Sequence, residues 1–132
     1  MPAAQTFGLN AIGQIAVNVR NLERARGFYR DTLGMRFLAD GPRMAFFDCG
    51  GIRLVLTLPE SPQFDHPASI IYYRVDDIIA AYETLVERGV HFGCEPHWVA
   101  DLGDRELWLA FFEDGEGNLL ALVSEPRKPA TA

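Results

Sequence analysis

The side chains best suited to chemistry gather in the second half of the chain, where His91, Cys94, Glu95, His97 and Glu106 fall within one short stretch. An imidazole and a carboxylate can pass a proton between them, so His97 and Glu106 are a candidate acid–base couple or a candidate pair of metal ligands. They can equally be an exposed pair bonded to each other or to water. They flank Leu102-Gly103-Asp104-Arg105, a hairpin-like turn that would set them face to face across two strands. Arg53 and Arg74 can clamp a carboxylate or phosphate bidentately, or merely balance Asp48, Asp76 or Glu106. Gln14, Asn18 and Tyr72 add hydrogen-bonding groups for a ligand, and Trp98 and Trp108 offer an aromatic wall, a dimer contact or a core edge. No Ser-His-Asp or Cys-His pattern has local support. Gly115-Glu116-Gly117-Asn118 has neither the spacing nor the following helix of a phosphate loop, so it reads as a turn.

The elements that must position these groups come in two copies. Val19, Leu22 and Ala25 recur as Val75, Ile78 and Ala81, and Ala45-Phe46-Phe47 recurs as Ala110-Phe111-Phe112. Each copy opens with an alternating strand. Ile15, Val17 and Val19 share one face in the first, as do Ile71, Tyr73 and Val75 in the second. A helix follows, with Asn21 and Asp76 or Asp77 as N-caps and Gly34 and Gly89 as stops. Strand-like stretches then run over 35–39, 43–48 and 52–58 in copy one, and over 90–93, 97–102, 106–112 and 119–124 in copy two. The expected architecture is α+β, with two βαβββ modules (about 10–58 and 69–125, linker 59–68) forming a curved mixed sheet around a cavity, helices outside. The apolar face of each sheet takes the helix. The other face, with Gln14, Asn18, Arg53, Thr57, Tyr72 and Arg74, is too polar for a second core and suits a cavity wall. The tail 126–132 is expected to fray.

Composition narrows the function classes. Twelve basic against eighteen acidic residues give a net charge of −6, and no basic stripe suits nucleic acid. No apolar run is long enough to span a membrane, and the first residues have no cationic region or apolar core of a leader. Cys49 and Cys94 make no CxxC pair and cannot form a disulfide framework, so a reduced, cytoplasmic protein is expected.

The stretches QIAVNVRNLERARGFYRDTLGM and FFEDGEGNLLALVSE resemble the vicinal oxygen chelate superfamily. That group includes glyoxalase I, extradiol dioxygenases, methylmalonyl-CoA epimerase and the bleomycin and fosfomycin resistance proteins. The resemblance, over about residues 10–125, implies the fold and says little about the reaction. It also implies four inward metal positions, two per repeat, which here hold Gln14, Val55, Ile70 and Ala121. Three of these have no donor atom, and one neutral amide does not hold a divalent cation.

The expected function is therefore small-molecule binding in a central cavity, with no metal or other cofactor and with a homodimer as the assembly. Gln14, Asn18, Arg53, Tyr72, Arg74 and Trp108 are the expected ligand contacts. The alternative is a lyase, isomerase or dioxygenase-type enzyme using His97 and Glu106 or a noncanonical metal, and a third option is a non-catalytic interaction module.

Overall fold

Strand β1 (Gln14–Asn18) buries Val17 and leaves Gln14 and Ala16 exposed, the pattern its alternation dictates. Asn21 then caps α1 (Leu22–Gly27) by accepting from the Arg24 amide at 3.0 Å. The helix widens into one π turn (Phe28–Thr32) and stops at Gly34, whose φ of 73° favours glycine. Strands β2 (Arg36–Gly41), β3 (Met44–Cys49) and β4 (Ile52–Thr57) complete the first sheet, in the order β1-β4-β3-β2. Only the β1–β4 pairing is parallel.

The second module repeats the plan. Its elements are β5 (Ile71–Arg74), α2 (Ile78–Glu87), β6 (His97–Asp101), β7 (Glu106–Glu113) and β8 (Leu119–Ser124). The sheet order is β5-β8-β7-β6, again with one parallel pair. Asp77, rather than Asp76, is the cap of α2, accepting from the Ala80 amide at 3.0 Å. The stretch 90–93 makes no strand. A lone bridge joins Phe92 to Phe112, because Gly93 and Pro96 interrupt the run before it can pair further. The computed structural model describes residues 7–129.

The α+β class and the two βαβββ modules are as the sequence implies. The layout adds one feature. The strands form two separate four-stranded sheets, and the helix-bearing faces of both meet in one core. Val17, Ala25, Tyr29, Phe47 and Leu56 of the first module pack in the same cluster as Ile78, Leu85, Phe112, Leu120 and Leu122 of the second. Each of the larger side chains contributes roughly 1.5–3 kcal/mol by leaving water. The helices thus lie toward the shared core, and the opposite face of each sheet turns outward.

The stretch 126–128 is tied down, against the expectation of fraying. Glu106 donates its amide to the Pro126 carbonyl at 3.0 Å, and the Lys128 amide reaches Asp104 at 2.9 Å. Lys128 Nζ pairs with Asp101 at 2.5 Å. The last part of that expected tail, 130–132, lies outside the described residues.

Candidate functional site

The parity of β1, β3 and β4 puts Gln14, Ala16, Phe46, Arg53 and Val55 on the outward face of the first sheet. Gln14 stands opposite Arg53, and Val55 stands between Ala16 and Phe46. Arg53 donates from Nε to Gln14 Oε1 at 2.7 Å, and its guanidinium lies 5.7 Å from the centre of the Phe46 ring. A planar cation is therefore held over an apolar floor by an amide on one side and an aromatic face on the other. Asn18 has a different task. Its amide donates to the carbonyls of Phe64 and His66, the second at 2.9 Å, and so fastens the linker across the end of this face. Behind that strap lies a cavity of about 280 Å³ lined by Ala16, Asn18, Met44, Thr57, Phe64 and His66, among others.

On the second sheet, Tyr72, Ala121 and Phe111 are neighbours across three strands. The Tyr72 and Phe111 rings meet edge to face at 6.1 Å. Leu119 and Val123 extend this outward face, Tyr72 is 47% exposed and Leu119 42%. Arg74, next to Val123, lies beside Asp76, Arg105 and Glu125. The six expected ligand contacts are therefore divided. Gln14, Asn18 and Arg53 stand on one sheet, and Tyr72 and Arg74 on the other.

Trp108 belongs to neither set. It alternates with Ala110 and Phe112 on the core side, packs against the core, and donates from Nε1 to Glu106 Oε1 at 3.3 Å. The proposed facing of His97 and Glu106 is also overturned by the strand register. His97 pairs with Leu109 on the outward face, whereas Glu106 pairs with Asp101 at the turn end. A bulge between Trp98 and Ala100 shifts the register, and the two side chains sit at opposite ends of the hairpin. His97 Nδ1 instead lies 2.9 Å from the Glu95 carbonyl oxygen.

Two residues read only as part of a turn hold the modules together. The buried Glu116 carboxylate accepts from the amides of Arg20 and Asn21 at 2.7 and 2.8 Å, and from Arg24 Nε at 2.5 Å. Burial pushes this carboxyl up, but the Arg24 guanidinium and the two amides outweigh it and hold it below its ordinary value. Asp114 accepts from the amides of Glu116 and Asn118 and from the Tyr29 hydroxyl, the last at 2.8 Å. The turn of one module thereby grips the start of the other module's helix. The sequence carries a signal for it, since the equivalent turn of the first copy, Asp48-Cys49-Gly50-Gly51, has no acid at the matching places.

The fold and the two outward faces can be set against known proteins. The family model for the Glyoxalase/Bleomycin resistance protein/Dioxygenase superfamily matches residues 11–122. The chain belongs to this superfamily. A glyoxylase-like domain-containing protein of Didymella fabae is 30% identical to it, over 89% of this chain and 95% of that protein. A superfamily member from Sphaerobacter thermophilus DSM 20745 has a similar structure, with a TM-score of 0.72, 27% identity and coverage of 89% and 98% of the two chains. Lactoylglutathione lyase from Agrobacterium tumefaciens shares the fold, with a TM-score of 0.66, 21% identity and coverage of 89% and 95%.

The metal that the superfamily implies does not fit the residues present. Val55 and Ala121 stand on the outward faces without donor atoms, and Ile70, just before β5, has none either. The amide oxygen of Gln14 already accepts from Arg53, whose positive charge opposes a second cation beside it. Among the described residues no group of three or more His, Cys, Asp or Glu is placed to hold a metal ion.

Proposed function

We propose that this protein binds a small, oxygenated organic molecule without a metal, in a cup made by two copies of the chain. The reading rests on one observation: the outward face of the first sheet carries the Gln14–Arg53 pair where the superfamily would place a chelating group. Arg53 supplies positive charge and a fixed fork of donors for an oxygen-bearing ligand. Ala16, Phe46 and Val55 supply the apolar bed. The second sheet's face, with Tyr72, Phe111, Leu119 and Ala121, is apolar enough to form the opposite wall. One chain's core keeps these faces apart, so a two-fold dimer that sets the first sheet of one copy against the second sheet of the other brings them together. The His97–Glu106 couple does not enter, because the two side chains do not meet. Among the described residues no helix is long and apolar enough to cross a membrane. A cytoplasmic location is part of the proposal and rests on the free Cys49 and Cys94.

The test has two arms. Sedimentation equilibrium should give a dimer that Leu119→Asp converts to monomer. A thermal-shift screen of aromatic, oxygenated compounds should give hits that Arg53→Ala removes, with no shift from added zinc, nickel, manganese or iron. Stoichiometric metal in the purified protein, or stabilisation by metal alone, would sink the reading.

A further inference from the structure

The two junctions between the modules are related by the internal repeat but are filled differently. At one, Tyr29 and Arg24 of α1 and its π turn meet Asp114 and Glu116 of the opposing turn, and the space is closed by hydrogen bonds. At the other, the matching positions hold Leu85 for Tyr29, Ala80 for Arg24 and Cys49 for Asp114. Smaller side chains leave room there, and a cavity of about 530 Å³ lies between α2 and the first module. That volume is in the range of small-molecule sites, roughly 300–1,000 Å³.

The walls of this cavity are not neutral. Leu33, Met35, Leu85, Phe112 and Leu122 give it an apolar lining. Arg88 of the segment after α2 borders it, and Arg36, Asp48 and Arg74 are also among its border residues, from strand positions whose side chains belong to the outward faces. Among the described residues none of these three arginines forms an ion pair. Arg88 is instead anchored across the junction, donating from Nη1 to the Thr32 carbonyl at 2.8 Å. The Tyr73 hydroxyl is shut off from solvent and has no hydrogen-bond partner among the described residues, and Tyr73 is one of the lining residues. The cavity is thus an apolar pocket with an anchored guanidinium at its border.

We infer that this inter-module cavity is a second ligand site, distinct from the outward faces, for a small organic anion with an apolar body. Arg88 takes the anionic group, and the aliphatic and aromatic lining takes the body. The site lies on the core side of the sheets, so its occupancy does not depend on the dimer proposed above.

Two methionines separate the sites. Met35 lines this cavity and Met44 lies on the outward face of the first sheet. Titrating methyl-labelled protein with 2-naphthoate should move the Met35 methyl resonance saturably and leave Met44 in place. Neutral 2-naphthamide should bind about tenfold more weakly, the effect of losing one charge-assisted contact. Arg88→Gln should erase that preference. A Met35 signal that does not move, or equal affinity for acid and amide, overturns the inference. Movement of Met44 alone also overturns it, and assigns the anion to the outward face.

Discussion

Tyr29 and Tyr73 bury the same functional group with opposite outcomes. The Tyr29 hydroxyl donates to Asp114 at 2.8 Å, whereas that of Tyr73 has no partner among the described residues. Burial raises the pKa of both, so each stays a neutral donor. Tyr29→Phe should therefore cost about 1–3 kcal/mol, since it strips a donor from a buried carboxylate. Tyr73→Phe should leave the unliganded protein as stable as before or more so, by up to about 1 kcal/mol. Urea unfolding of the two variants side by side reads the contrast, and equal losses would refute it. Glu116 makes a pH prediction. Its folded value is depressed, so its contribution is fully present above its ordinary value of 4.5 and is lost as pH falls through the folded value. The stability gap between the wild type and Glu116→Gln should be widest near neutrality and shrink in acid; a gap independent of pH would contradict the assigned hydrogen bonds.

The helices and most strands were legible because their signals are local. The N-cap of α2 is one example, and Asp77→Ala should cost about 1 kcal/mol by freeing the Ala80 amide, measurable as a lower thermal midpoint. A variant as stable as the parent would mean that α2 is held by packing alone. Alternation correctly separated Val17 from Gln14 and Ala16, and Tyr73 from Tyr72. It failed where the period broke. The bulge between Trp98 and Ala100 is not written in the residue types, so the partner of His97 could not be counted from the turn. The type of Trp108 suits a ligand contact, whereas its place on β7 puts it on the core side. The grip of Glu116 on α1 was missed for another reason. A Gly-rich turn is recognisable by itself, but what it touches lies at the far end of the chain.

At the scale of the whole molecule, the internal repeat announced two equivalent modules and the structure makes them unequal partners. The replaced chelating positions could be read from the sequence, because a side chain without donor atoms is plain on the page. Which faces turn inward could not, because either face of each sheet could have met its counterpart. Only the shared core of Tyr29, Phe47, Ile78 and Phe112 decides it. One consequence concerns mechanical softness. A tight junction and a hollow one in the same body should compress unequally, since pressure favours states that eliminate internal voids. Under several hundred megapascals the amides around Leu85 and Arg88 should become exchange-labile first, while those of Arg20 and Asn21, seated on Glu116, should hold out longest. Kilobar NMR would then reveal a protein that yields along a single seam, with the opposite seam serving as its hinge.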